Sequence, residues 1–157
     1  MIKATTSTKD IQAFFDKATA IVNEEIANML SYLGEQCVAR IRDRSAEESW
    51  IDHTGNLRSS IGYAVFNKGT KIAESAFERI LGGSTGSSNG RSYVDSLASQ
   101  YANTYALVVV AGMSYADYVE AIENKDVLAS TELWARAEID RYLEKANEKA
   151  IKRINAL

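Results

Sequence analysis

The 157-residue chain contains no proline. Average usage would supply about eight in a chain of this length. Cysteine and histidine are nearly as scarce, with Cys37 and His53 the sole representatives. These shortages exclude chemistry. A lone cysteine cannot close a disulfide within the chain, and one cysteine with one histidine cannot supply the ligands of a Cys/His zinc site. Without proline there is no polyproline II ligand and no proline-stiffened linker. The longest apolar run, Tyr105 to Met113, contains Gly112 and is half as long as a membrane span of about 18 residues requires. Met1 to Ser7 lacks the apolar core of a signal peptide. The expectation is one domain over residues 1–157, working inside a cell or in a particle assembled there.

What is present reads mostly as helix. From Asp10 to Arg44 the apolar residues Ile11, Phe14/Phe15, Ala18, Val22, Ile26, Met29/Leu30, Leu33, Cys37 and Ile41 recur at helical spacing. They predict one amphipathic helix of about 50 Å whose stripe faces the core. Asp10 or Thr8 is placed to cap its start, and Arg40, Arg42 and Arg44 lie where the helix dipole favours cations. Gly34, costing about 1 kcal/mol against alanine, marks a site for a kink.

Turn formers then gather around Asp52, Thr54, Gly55 and Asn56, with Thr54 or Asn56 able to cap a short helical turn. Ile61 to Phe66 predicts a strand, and Asn67-Lys68-Gly69 a hairpin reversal. Lys71 to Leu81 fits a returning strand, or a helix through Ala73, Phe77, Ile80 and Leu81; the strand is preferred because its partner needs a mate. Gly82 to Gly90 is all small and polar-leaning, which predicts a mobile surface loop. Ser92 to Asn103 predicts a short helix with Val94, Leu97, Ala98 and Tyr101 on one side. Tyr105 to Ala111 is apolar on both faces and so predicts a central strand. Ser114 to Ile122 predicts a second short helix, gathering Tyr115, Tyr118, Val119 and Ile122. A last helix is expected from Ser130 to Asn155, with Glu132 in its first turn and Lys149, Lys152 and Arg153 in its last.

Catalytic patterns fail one by one. A nucleophilic triad would need His53 as base with Asp52 beside it, but there is no Gly-x-Ser-x-Gly elbow. His53 also interrupts the Asp-Thr-Gly turn of an aspartic protease. Around Gly90 a phosphate-binding loop would have Thr85 in place of its first glycine and Arg91 in place of its lysine. Glu24/Glu25 and Glu47/Glu48 are helix neighbours that diverge by about 100°, so neither pair can flank one bond. Arg40, Arg42 and Arg44 are interleaved with Asp43 in a chain of net charge −3, a poor phosphate-binding surface. The residues alone point to a binding or structural protein. A hydrolase built on His53 and a ligand-binding module built on the Gly/Ser loop are the alternatives from other classes.

Two segments say more together. Residues Thr54-Gly55-Asn56-Leu57-Arg58-Ser59-Ser60-Ile61 resemble the Thr-Gly-x-Leu-Arg-x-Ser-Ile signature of a tailed-phage family. About fifty residues on, Tyr115-Ala116-Asp117-Tyr118-Val119-Glu120 is similar to that family's Tyr-Ala-x-Tyr-Val-Glu motif. The family is the tail-completion, or tail-terminator, group of head–tail joining proteins of long-tailed phages and prophages, and the order of elements matches along nearly the whole chain. The resemblance implies an α+β fold, with long N-terminal and C-terminal helices packed on a small, mostly antiparallel sheet. It implies a non-enzymatic virion protein without cofactor or metal, placed in the tail or neck and assembled in the bacterial host cytoplasm. The implied partners are further copies in a ring, commonly of six, the tail-tube protein and the head-connector protein. DNA is met only in transit and no membrane is involved. A connector adaptor or stopper, or another minor tail protein, is the neighbouring alternative.

The motif residues Thr54, Gly55, Leu57, Arg58, Tyr115, Tyr118 and Glu120 are the implied interface or motif positions. Thr54-Gly55 would reverse the chain, Leu57 and Ile61 would return it to the core, and Arg58 would pair with an acid, Glu120 being the candidate. The Gly/Ser loop at residues 82–90 would order at an interface or project into the channel. After Glu120 many members continue with Phe-Gly-Thr and a later Arg-Pro-Phe segment; here Ala121 to Leu128 stand instead.

Overall fold

The structure, a computed structural model, describes residues 7–121 and 125–157. It begins with the long helix α1, Thr8–Arg42, which Ser7 caps rather than Asp10 or Thr8. The Ser7 hydroxyl accepts from the Asp10 amide at 3.1 Å, and the Asp10 carboxylate accepts from the Ser7 amide at 3.2 Å. This reciprocal box satisfies two of the amides that a helix start leaves orphaned. The helix passes through Gly34 unbroken. That glycine serves packing: a Cβ there would lie 2.6 Å from the Tyr63 ring.

After the short helix α2, Asn56–Ser59, come strands β1, Ile61–Asn67, and β2, Thr70–Glu74, then α3, Ser84–Ser96, and a 3₁₀ turn at Ala98–Tyr101. Strand β3, Tyr105–Ala111, the short helix α4, Ala116–Ala121, and α5, Ala129–Ile154, complete the order. Among the described residues the sheet is three-stranded and antiparallel, ordered β2-β1-β3. The fold is α+β, with long amino- and carboxyl-terminal helices and a small antiparallel sheet as the resemblance implied; α1 packs on the sheet, whereas α5 packs on α1 rather than on the strands. Lys68 and Gly69 both have positive φ, 49° and 79°, as a two-residue turn matched to strand twist requires. β2 ends at Glu74, so only the first part of the expected returning strand forms; Phe77 and Leu81, also at positive φ, belong to an irregular connection.

The sheet separates two cores. On one face Ile61, Tyr63 and Val65 of β1 and Leu107 and Val109 of β3 pack with Leu30, Val38 and Ile41 of α1. On the other, Ala64, Phe66, Val108 and Val110 meet Phe77, Val94 and Tyr101. This two-sided cover explains the apolar run of β3, which lies at the sheet edge and not at its centre: Val108 and Val110 are buried on one face, Leu107 and Val109 are partly covered by α1 on the other, and one backbone edge stays unpaired among the described residues. β1 is the central strand.

The expected Gly/Ser loop is a helix. Gly83, Gly86 and Gly90 recur at helical spacing and are buried against α2 and the strand ends. A Cβ on Gly86 would come within 1.9 Å of the Asn56 carbonyl oxygen, and one on Gly90 within 2.4 Å of the Ser60 carbonyl oxygen. The segment is therefore a surface helix whose glycine face packs against the fold while Ser84, Thr85, Ser88 and Asn89 are exposed. Its compositional flexibility is overridden by backbone-to-backbone approach that only glycine allows.

The core-facing stripe of α1 is also shorter than its pattern. Residues become buried only from Met29 onward, while Ile11, Phe14, Phe15 and Val22 are exposed. Ile122, expected in the α4 helix, lies outside the described residues.

Gly86→Ala separates propensity from packing. In an ordinary helix the change stabilises by about 1 kcal/mol; here the carbonyl contact makes it destabilise by about 1–3 kcal/mol, read by urea unfolding.

Candidate functional site

The two quoted motifs meet where the end of α1 approaches the start of α5. Tyr115 sits beside Thr54 and Asp52, so segments far apart in sequence share one place. Burial first, and then the Asp52 charge, push the Tyr115 phenol above its ordinary value.

Arg58 does not pair with Glu120. Its guanidinium donates to the Arg42 carbonyl, to the Arg44 carbonyl at 3.2 Å and to the Trp50 carbonyl at 3.3 Å. It also stacks over the Trp50 ring, 4.7 Å from the centroid. The α1 dipole favours such a cation at its carboxyl end, where orphan carbonyls need donors. Asp52 in turn accepts from the Arg58 amide at 2.7 Å, fixing where α2 begins. Glu120 does the converse job. Its carboxylate accepts from the Ala129 amide at 2.8 Å and the Leu128 amide at 3.3 Å, capping α5 from another helix. Unlike charges are thus spent on helix ends instead of on each other.

Arg44 fastens the two long helices together. It meets the Asp126 carboxylate at 2.9 Å and the Asp126 carbonyl at 2.8 Å, and donates to Ser130 Oγ at 2.7 Å and to the buried Thr131. Burial would raise the Asp126 carboxyl, but hydrogen bonds from Ser130 and the Arg44 charge outweigh it and hold it below the ordinary 3.8. Its contribution to stability is therefore complete above 3.8 and is lost as pH falls through the lower folded value. Arg42 reaches the other way, donating to the Ile61 carbonyl at 2.8 Å and the Glu78 carbonyl at 3.3 Å. The basic cluster at 40–44 read as dipole partners is a set of cross-links between elements. Its alternate spacing, which sends Arg40 and Arg42 to different sides of α1 and sets Arg44 just past its end, is the signal that they do different things.

Gly55, at φ 73°, is the N-cap of α2, so neither Thr54 nor Asn56 takes that place. A Cβ there would come 1.8 Å from the Ile80 carbonyl oxygen. Thr54 Oγ1 accepts from the Asn56 amide at 3.2 Å, and Leu57 and Ile61 are fully buried. Of the motif positions Thr54, Asp117 and the two tyrosines are exposed, and the tyrosines give the large apolar part of that surface, Tyr118 at 54% and Tyr115 at 39%, with Ile51 exposed close to Thr54 in the chain. They form an aromatic rim with polar edges beside the joint.

Among the described residues no group of three or more His, Cys, Asp or Glu side chains converges as a metal site would, and no helix is long and apolar enough to cross a membrane. A polar cleft of about 440 Å³ beside the joint is lined by Arg40, Asp43, Arg44, Glu48, Asp126 and Ser130, where Asp126 already compensates Arg44. His53 is exposed on its turn. Buried Cys37 has its thiol pushed up to about 11 by desolvation, which makes it a poor nucleophile.

Arg58→Met should cost about 3 kcal/mol in denaturant unfolding, because three carbonyls lose a charged donor at once. A loss below about 1 kcal/mol, ordinary for a surface ion pair, contradicts the capping role. Compared with protein-family models, with curated proteins and with solved structures, the chain matches none.

Proposed function

We propose that this chain is a non-enzymatic virion protein of a tailed phage or prophage, which completes the head-proximal end of the tail and joins it to the head connector. The observation that carries the reading is the meeting of the two motifs. The Thr54–Ile61 signature and the Tyr115–Glu120 motif form one structural unit, in which Tyr115 lies against Thr54 while Arg58 and Glu120 cap the facing ends of α1 and α5. Motifs that coincide with a resemblance by chance have no reason to interlock. Their chemistry is that of a scaffold: Arg58 and Glu120 are spent on backbone groups, and the exposed remainder, Thr54, Tyr115, Asp117 and Tyr118, is half aromatic.

In this reading the subunits form a ring by head-to-tail contact, with like surfaces repeated around the axis. The tyrosine rim and the exposed apolar residues of the long helices are the surfaces available to neighbours, tube and connector. A mildly acidic subunit of net charge −3 also avoids gripping DNA in transit.

Purified chain mixed with isolated tails that lack a terminator should decorate the head-proximal end as a ring in negative-stain images, and His53→Ala should bind equally well. Binding to connectors with none to tails favours an adaptor or stopper. Binding to neither overturns the proposal.

A further inference from the structure

Helix α1 overshoots everything packed on it. Arg153, near the end of α5, bonds Glu25 at 2.7 Å and Glu24 at 2.8 Å, and Tyr105 at the start of β3 bonds Asn23 at 2.7 Å. The body stops there. Thr8 to Asn23 runs on as an arm of about 24 Å. Ile11, Phe14, Phe15, Ala18 and Val22 repeat along it at helical spacing, and Phe14 and Phe15 are 45% and 59% exposed, their rings 6.0 Å apart edge to face. Apart from Ala18, which is partly buried, this stripe on a projecting helix is exposed and unpartnered within the chain among the described residues.

The same chain carries an unfilled groove. An open, mostly apolar channel of about 880 Å³ lies over α1 between β3 and α5; its floor residues Leu30 and Leu33 are buried, and the partly exposed Leu107, Val109, Ala135 and Ile139 with the exposed Leu143 form its open walls. Its floor, Ile26 to Ile41, is about 22 Å long, and the arm's stripe from Ile11 to Val22 is about 16 Å. The arm cannot enter the groove of its own chain, because arm and floor are one unbroken helix. It can enter another's. Lys9 and Lys17 on the arm and Asp140 on the groove wall make no ion pair among the described residues and can meet across the contact, but with Asp10 and Asp16 the arm as a whole is neutral, so apolar surface and length carry the fit.

We infer that the amino-terminal arm of α1, Thr8 to Asn23, docks in the α1–β3–α5 groove of a second copy of this chain. The contact is heterologous, so each copy gives an arm and receives one, and the series closes into a ring when the rotation permits. This deepens the ring reading proposed above, but does not require that the ring sit on a phage tail.

Cross-linking in trans tests it. Two variants are made in a Cys37→Ala background, one with Ala18→Cys on the arm and one with Ala135→Cys in the groove, then mixed and treated with a short bis-maleimide. The expected product is the 18–135 heterodimer, in excess over either homodimer and over a control with Ser96→Cys on the opposite face. Dominant 18–18 product means arms pair with arms and overturns the inference. So does a yield no greater than the control, as when a neighbour instead adds a strand to the open β3 edge. A second variant, Phe14→Asp/Phe15→Asp, changes only exposed side chains; it should melt like the wild type yet lose self-association by at least about tenfold. Unchanged association of that variant, or a wild type that stays monomeric at the highest soluble concentration, also overturns it. Rings that persist without the 18–135 link refute this seam alone, whereas rings that ignore tails and connectors refute the virion reading alone.

Discussion

Both the apolar core on the α1 side of the sheet and the joint that gathers the motifs are built on the carboxyl-terminal half of α1. The sheet lies against it, α5 runs antiparallel along it, and Arg42, Arg44 and Arg58 tie its last turn to three other elements. The helix has 35 residues and its partner α5 has 26, and the pair is pinned at both ends. Arg44 with Asp126 fixes one end, Arg153 with Glu24 and Glu25 the other. Two fixed ends leave no freedom in the overlap. The surplus length must project at the amino terminus, and the stripe it carries makes that projection an apolar arm. Exposed ion pairs such as that of Arg153 add little stability. Their part here is to set register, while apolar burial between the sheet and α1 supplies most of the energy.

Helix ends in this fold are also satisfied at long range. Arg58 serves carbonyls at the end of α1, and Glu120 serves amides at the start of α5, alongside the local bonds that Ser7, Thr54 and Asp126 make at the starts of α1, α2 and α5. Long-range caps couple elements: α2 cannot leave without uncapping α1, nor α4 without uncapping α5. The glycines of α3 act likewise, since Gly86 and Gly90 bring its backbone against α2 and the start of β1. The quoted motifs are, on this account, the fastenings of a scaffold, with Tyr115 and Tyr118 as its exposed face.

The long helices, the hairpin turn at Lys68-Gly69 and the burial of Leu57 and Ile61 were legible in the residues, because periodicity and positive-φ turn chemistry are local signals. The misses share one cause. Whether Gly83, Gly86 and Gly90 make a loop or a helix depends on the α2 backbone lying beside them. Whether an apolar run such as β3 is central depends on what covers its faces. The stripe of α1 states that Phe14 and Phe15 are apolar at core spacing without stating that the described part of the fold leaves them exposed. Arg58 was legible as a charge in need of a partner, but its partners are backbone carbonyls, which no side-chain pattern reveals. The unsought residues of the joint, Arg44 and Asp126, are 82 positions apart in the backbone contact they share, beyond any local motif.

An arm without a partner among the described residues of its own chain is the central feature of the molecule. Hydrogen exchange followed by mass spectrometry over a concentration series tests it directly, because exposed helix amides open locally at little cost while covered ones do not. In dilute solution peptides from residues 8–22 should exchange fast, and with rising concentration they should become protected together with peptides from 128–143. Protection that instead appears at residues 115–118, or no concentration dependence in the arm, would contradict the account.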